Sequence, residues 1–465
     1  MSDRLSIFEA AASSPKGIAL VAGGRTYTFA EIAERTARVM TWLDRRTGGT
    51  ARVALVASAS IETLLLIYAL LARGEPAAFL HPRLTTAERT RLVGVYAEGA
   101  RLLLVEDPAV ELQEAYALPP SAAPPPVDDG SPLGVLFTSG STGHPKGVVL
   151  SRRAFLASAA ASEANLGWKA DDRWLLCMPV AHVGGLSVVV RCLVARKAVV
   201  LEPRFDPAAV VDVIVREHVS IASFVPTMLA RLIEDVPQFR SSPPLRVVML
   251  GGAGTPAKLL VAAMDRGIPA LTTYGMTETC SQVTTQRYGT KPSLAEGSGE
   301  PLAGASLRIV DERIEVRGPM LFSGYWGEPA HAVDAWFRTT DFGAFDEQGR
   351  LHVRGRVKER IVTGGENVDP AEVEAELERV DGIRAACVFG VPDDLWGEIV
   401  CVALVAEGDS LPTVDLNASF RERLASHKRP RRVVWLPALS TASSGKLDRS
   451  ATRLLAEPGL AILSG

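Results

Sequence analysis

The 465 residues carry 50 lysines and arginines against 53 aspartates and glutamates, a net charge of −3, with 47% hydrophobic and 22% charged residues. That balance describes a globular chain long enough for two or more domains and excludes disorder by composition. It also argues against a nucleic-acid partner, because such binders show a basic excess.

The first ten residues include Asp3 and Glu9 and no apolar signal-like core. The most apolar early stretch, residues 63–72, is too short to span a bilayer. The five cysteines (Cys177, Cys192, Cys280, Cys387 and Cys401) show no close pairing, and their odd number fits a reducing compartment. A cytoplasmic chain with no membrane span is expected.

Residues 18–21 and 25–28 flank Gly23-Gly24 and read as a β-hairpin. Thr28 and Glu31 form a capping box that opens a helix towards Leu43. A strand over 53–56, a helix over 61–72 and a strand over 101–105 follow. Residues 118–132 hold six prolines and read as an extended connector. Residues 133–137 are an apolar strand, and a helix is expected from Ser151. Beyond it, strands over 174–178, 198–201, 221–224, 247–250 and 270–273 alternate with helices over 207–218, 226–233 and 256–265. Each of those helices has proline at its first turn. Such alternation predicts parallel sheets flanked by helices. Near 356–359 the texture becomes charged, and a smaller βα-like unit follows.

Between the strand at 133–137 and Ser151 lies Phe-Thr-Ser-Gly-Ser-Thr-Gly-His-Pro-Lys-Gly, residues 137–147. Glycines permit close backbone approach. Free N–H groups, the hydroxyls of Thr138, Ser139, Ser141 and Thr142, and the Lys146 cation suit an anion. The stretch is not a Walker A loop, because Pro145 precedes Lys146 and Gly147 follows it. A flexible Gly/Ser linker would explain the composition, but not the apolar run before it or the Pro-Lys-Gly end.

Tyr274-Gly-Met-Thr-Glu-Thr279 follows a strand, where open α/β sheets bind ligands. Glu278 there can hold Mg²⁺ on a phosphate or serve as a solvated acid at a helix start. Gly251-Gly-Ala-Gly254, also after a strand, reads equally as a tight turn. Asp341 can accept from two hydroxyls, and Arg356 can donate to one.

Together these stretches closely resemble the adenylate-forming superfamily of acyl-CoA synthetases, luciferases and peptide-synthetase adenylation domains, from about Thr26 to Arg449. The resemblance implies a large N-terminal domain of flanked parallel sheets with a β-barrel-like subdomain, residues 1–357, and a small mobile α+β domain, residues 358–465. It implies ATP, Mg²⁺ and CoA as cofactor and co-substrates, and a small carboxylic acid as substrate. A homodimer stays open as the assembly.

Residue by residue, the resemblance assigns ATP to Thr138, Ser139, Gly140, Ser141, Thr142, Gly143, Lys146, Gly252, Ala253, Tyr274, Gly275, Asp341 and Arg356. It gives Thr277 to phosphate, Glu278 to the metal, Lys446 in Ser-Gly-Lys to catalysis, Lys358 to the hinge, and Gly364-Gly365 to the CoA path. Two positions depart from the family pattern. Thr340 stands where glycine usually precedes the aspartate, and Ser440 stands where proline usually lies six residues before the lysine.

For the acid, Met178-Pro-Val-Ala-His182-Val-Gly-Gly-Leu186 resembles the pocket segment of acyl- and aryl-CoA ligases. No aspartate lies between Trp174 and Arg191, which counts against an amino acid. Arg191 interrupts an apolar run; it either reaches the surface or a salt bridge, or meets a second carboxylate. His182 with a cation nine residues on, Ser223 just before Val-Pro-Thr227, and Tyr274-Gly-Met-Thr-Glu-Thr-Cys-Ser-Gln282 resemble the o-succinylbenzoate–CoA ligases of menaquinone biosynthesis. The implied acid pocket is His182, Gly185, Arg191, Ser223, Gly275 and Met276, with His182 also counted as catalytic. Alternatives are another aryl- or acyl-acid CoA ligase, an adenylation enzyme loading a carrier protein, and a non-catalytic nucleotide-binding relative, against which Glu278 and Lys446 argue.

Overall fold

A computed structural model describes residues 3–48, 51–138, 145–241, 243–290, 293–356, 359–363, 366–393, 395–408, 411–412, 415–442 and 445–462. The first hairpin pairs Ile18–Ala22 with Arg25–Thr28 across Gly23 and Gly24, whose φ of 57° and 73° match a tight hairpin turn. Thr28 then caps helix Phe29–Thr47. Its Oγ1 accepts from the Glu31 N–H at 3.2 Å, and Glu31 Oε2 accepts from the Thr28 N–H at 2.8 Å.

Two large sheets stack with helices between and outside them. In the first, six parallel strands run Ala270–Met276, Val247–Leu250, Ile221–Phe224, Arg173–Leu176, Ala198–Leu201 and Ile18–Ala22, with antiparallel strands closing both edges. In the second, Leu102–Val105, Arg52–Val56, Ala77–Leu80 and Pro132–Thr138 are parallel, and Lys146–Ser151 and Gly324–Tyr325 add antiparallel edges.

Because strand side chains alternate between faces, Leu20, Trp174, Val199 and Val247 face the inter-sheet core. Their neighbours Val21, Leu175, Val200 and Val248 face the outer helices Pro207–Arg216, Pro226–Asp235 and Ala257–Asp265. Helices Ile61–Arg73 and Val183–Ala195 lie in the inter-sheet layer and are buried almost all round. This accounts for their apolar character on every side. No helix among the described residues is long and apolar enough to cross a membrane.

One expectation needs correcting. A second strand, Lys146–Ser151, returns antiparallel to Pro132–Thr138 before helix Arg152–Leu166 begins, with Ser151 as its N-cap. Val148, Val149 and Leu150 are an ordinary strand signal next to a glycine-rich stretch that drew attention to its chemistry. Strand Ala77–Leu80 and helix Thr86–Ala97 stand in addition to the elements expected from the sequence.

The β-barrel-like subdomain is built on a four-stranded antiparallel sheet, Ser306–Val310, Arg313–Arg317, Phe337–Phe345 and Leu351–Arg356. From residue 361 the chain forms a separate six-stranded sheet. Its two longest strands, Ile383–Asp393 and Gly397–Ala406, pair antiparallel. One face of this sheet, with Val388, Val400, Val402 and Leu404, packs on helices Pro370–Leu377 and Leu416–Arg423. The other, with Cys387, Phe389, Cys401 and Ala403, packs on Ala456.

Candidate active site

The site lies past the carboxyl ends of the parallel strands of the first sheet, where such sheets bind ligands. Strand Ala270–Met276 carries Tyr274-Gly275-Met276 to its end, turns through Thr277–Thr279, and returns as Ser281–Thr285. The reversal is tight: a Cβ on Gly275 would stand 2.0 Å from the Ser281 carbonyl oxygen, so only glycine fits. Thr279 Oγ1 accepts from the Met276 N–H at 2.9 Å and pins the turn. Thr277 and Glu278 are left half-buried at the rim.

Glu278 is held by its neighbours. Its carboxylate Oε1 accepts from the Tyr325 hydroxyl at 3.0 Å, and its carbonyl accepts from the Phe322 N–H at 2.9 Å. Tyr325 also lies under Lys146, whose Nζ is 4.4 Å from the ring centroid. The same Nζ donates to Glu328 Oε1 at 3.0 Å. Tyr325 therefore joins Lys146 to Glu278 of the second signature, because strand Gly324–Tyr325 pairs with Lys146–Ser151. Burial, then the Glu278 carboxylate, raises the Tyr325 pKa, so it stays a donor. Thr138 and Lys146 are register partners flanking the segment. Ser139, Gly140, Ser141, Thr142 and Gly143 lie outside the described residues, as do Lys358, Gly364 and Gly365.

Asp341 is 5% exposed and accepts from Tyr274 Oη at 2.9 Å and Arg356 Nε at 3.2 Å. Asp341 and Arg356 stand opposite each other on paired strands. Thr340 occupies a regular strand position without positive φ, so the usual glycine is not required there. Gly251–Gly254 follows strand Val247–Leu250, with Gly252 at φ 83° and Ala253 exposed.

Lys446 reaches this wall from the small domain. Its hairpin is closed by a Thr441–Leu447 bridge and by the Ala442 N–H donating to the Lys446 carbonyl at 2.8 Å. The Thr227 hydroxyl donates to the Gly445 carbonyl at 2.8 Å. The other departure from the family pattern is resolved here. Ser440 donates its backbone N–H to Thr452 Oγ1 at 3.0 Å, a bond proline cannot make. Burial and the Arg356 guanidinium lower the Lys446 pKa, while Asp341 and Glu278 pull it back up. Lys446, Asp341, Arg356 and Glu278 thus share one electrostatic field.

His182 stands at the N-cap position of helix Val183–Ala195 without a side-chain capping bond, and Gly185 packs where a Cβ would meet the Pro179 carbonyl oxygen at 2.5 Å. Burial, with the charges of His81, Lys446 and Arg83, depresses His182 to about 4, so it is neutral near pH 7. His81, whose ring centroid is 4.9 Å away, was not foreseen. Its Nδ1 accepts from the Arg83 N–H at 3.1 Å, and its Nε2, like that of His182, has no partner among the described residues. A polar residue closing strand Ala77–Leu80 was the available signal.

Arg191 neither reaches the surface nor forms a salt bridge among the described residues. It is 4% exposed. Its Nη1 donates to Gln282 Oε1 at 3.3 Å and its Nη2 to Ser158 Oγ at 3.2 Å; Nε has no partner among the described residues. Its guanidinium carbon is 5.6 Å from the Trp174 ring centroid, and Trp174 Nε1 donates to Ser223 Oγ at 3.0 Å. Burial lowers Arg191 to about 10, which leaves it charged at neutral pH. Gln282 is the register partner of Gly275, so Arg191 stands behind the second signature. Gln282 and Ser158 were not assigned from sequence.

Comparison with known proteins agrees with this geometry. The AMP-binding enzyme family matches residues 7–326, and the AMP-binding enzyme C-terminal domain matches residues 372–446. The 2-succinylbenzoate–CoA ligase of Bacillus licheniformis is 34% identical over 94% of this chain and 96% of its own length. That of Enterococcus faecalis is 33% identical over 91% and 93%. Among solved structures, Bacillus subtilis o-succinylbenzoate CoA synthetase with the acyl-adenylate OSB-AMP superposes with a TM-score of 0.85, at 28% identity over 96% and 97% of the two chains. ATP-bound MatB from Rhodopseudomonas palustris gives 0.87, at 26% identity over 98% and 99%. A half-buried carboxylate, a lysine delivered by a second domain and a tyrosine-bound aspartate, within chain-long similarity, place this chain in the AMP-binding enzyme family.

Proposed function

We propose that this enzyme is an acid–CoA ligase that activates o-succinylbenzoate, converting acid, ATP and CoA to acyl-CoA, AMP and pyrophosphate through an acyl-adenylate. The observation that carries the choice of acid is Arg191: a buried cation with no carboxylate partner among the described residues, backed onto Gly275 through Gln282. A charge costs much in such a place unless it is paired. A diacid supplies the pair with its second carboxylate while the first reacts. The relatives named 2-succinylbenzoate–CoA ligases support this reading. Fold likeness alone does not choose the acid, because MatB superposes as well as the o-succinylbenzoate enzyme.

A carboxylate is a poor electrophile, so its oxygen first attacks the α-phosphorus of ATP. Such transfer depends on positioning and charge stabilisation. In this reading Thr138, Ser139, Gly140, Ser141, Thr142, Gly143 and Lys146 cradle the β- and γ-phosphates. Gly252 and Ala253 flank adenine; Asp341 accepts from the ribose; Arg356 and Thr277 meet hydroxyl and phosphate oxygens. Glu278 fits a hard divalent cation that takes one or two carboxylates and completes its shell with phosphate and water. No cluster of three or more metal-ligating side chains exists among the described residues to suggest another mode. Bound Mg²⁺ would neutralise phosphate charge.

Lys446 bridges the attacking carboxylate and the α-phosphate as charge shifts between them. Neutral His182 contacts the acid, beside Ser223 and Met276. The small domain then turns about Lys358, withdraws Lys446 and brings Gly364-Gly365 towards the thiol path. A cytoplasmic location follows from the supply of ATP and CoA.

The test is a panel of acids assayed for pyrophosphate release with and without CoA. o-Succinylbenzoate should give the highest kcat/KM, with thioester formed on free CoA. A preference for a monoacid, or product only on a carrier protein, would reject the reading.

A further inference from the structure

Lys258 lies in the first turn of helix Ala257–Asp265 of the large domain. Its Nζ crosses to the small domain and donates to the Val380 carbonyl at 3.2 Å, the Ile383 carbonyl at 3.1 Å and Glu407 Oε1 at 3.1 Å. All three ammonium protons are thereby used. Beside it, Arg384 Nη1 is 3.5 Å from Glu234 Oε2. The helix follows directly on the Gly251–Gly254 turn, with Pro256 as its N-cap, so Lys258 and the glycine wall facing Lys446 belong to one continuous segment.

We propose that Lys258 is the latch that holds the small domain in the adenylate-forming orientation. The proposal rests on the two-step reading above. Its bonds grip the turn before strand Ile383–Asp393, and they coexist with Lys446 standing against Gly252. A contact made in only one of two orientations shifts the population by its differential free energy and no more. Two of the three acceptors are backbone carbonyls, so the grip depends on where the small domain sits rather than on its side chains. Hydrogen bonds from a charged, half-exposed donor are worth about a tenfold shift in that population. Lys258 acts through Lys446 and is a positioning residue.

The experiment places spin labels at Val215→Cys and Leu454→Cys, which are 60% and 73% exposed, one on each domain. The five native cysteines are all buried, so the introduced thiols take the label. With MgATP and no acid, Lys258→Ala should lower the population at the parent's dominant interdomain distance about tenfold relative to the rest, and Lys258→Arg should restore it. In the same variant, pyrophosphate release should slow up to about tenfold, while conversion of supplied acyl-adenylate and CoA to thioester is unchanged or faster.

An unchanged distance distribution, or equal loss of both half-reactions, overturns the latch. The distance measurement needs no acid. A parent that ignores o-succinylbenzoate while Lys258→Ala shifts the distances rejects the substrate and sustains the latch.

Discussion

The Lys446 side chain rests against the Gly252 backbone: a Cβ built on Gly252 would stand 3.1 Å from Lys446 Cε. Gly252 also has φ of 83°, a conformation that side chains adopt at a cost of about 1–2 kcal/mol. Gly252→Ala therefore meets both strain and the Lys446 side chain. Pyrophosphate release should fall about tenfold, with a small loss in Tm. An adenylation rate equal to the parent's would show that the lysine does not work from this position.

A substitution at Lys446 is expected to separate the two half-reactions. Lys446→Ala should abolish pyrophosphate release yet still turn supplied acyl-adenylate and CoA into thioester. Equal loss of both would remove its assigned role. Because burial and Arg356 lower its pKa in the free enzyme, the protonated form is lost earlier as pH rises. The alkaline limb of kcat/KM for adenylation should consequently lie below the ordinary lysine range, since kcat/KM reports the free enzyme.

Glu278 has one oxygen tied to Tyr325. Glu278→Gln keeps an acceptor for that hydroxyl and removes the negative charge. The Mg²⁺ titration of adenylation should shift to higher concentration while the melting temperature holds. Tyr325→Phe should give a smaller shift in the same direction, because the carboxylate loses its anchor but not its charge. An unmoved Mg²⁺ titration in Glu278→Gln would place the metal elsewhere.

The second signature was legible because its chemistry is written in consecutive residues at a strand end, Tyr274 to Thr279. The capping box at Thr28 and the glycine hairpin were legible for the same reason: each is a local device. What escaped depends on distant pairs. Tyr325 matters because strand Gly324–Tyr325 lies beside Lys146–Ser151, a pairing that no local pattern announces. His81 meets His182 across 101 positions of sequence, at the ends of different elements. Strand Lys146–Ser151 was itself overlooked, although Val148 to Leu150 are apolar, because the neighbouring glycines suggested only a loop leading to a helix. Arg191 was visible as an oddity in an apolar run; that it has no salt bridge among the described residues could be learned only from the fold.

Arg191 also offers the sharpest test of the acid. Its guanidinium is buried and, among the described residues, hydrogen-bonded only to the neutral groups of Gln282 and Ser158. Truncating one partner of a buried ion pair costs roughly 3–5 kcal/mol, because the other charge is stranded. At about 1.4 kcal/mol per tenfold, Arg191→Leu should weaken use of o-succinylbenzoate by a hundredfold or more. The loss should appear mainly in KM for the acid rather than for ATP or CoA, because the contact is remote from the reacting carboxylate. Benzoate-like acids lacking the second carboxylate should be unaffected or improved, as the substitution also removes an unpaired buried charge. The fold should survive, since leucine continues the apolar run of helix Val183–Ala195 and strands only the neutral groups of Gln282 and Ser158. Arg191→Lys, which keeps the charge but loses the fork, should fall between parent and leucine variant. If Arg191→Leu uses o-succinylbenzoate as well as the parent does, the arginine is a core residue held by its two hydrogen bonds, and the diacid loses its physical anchor.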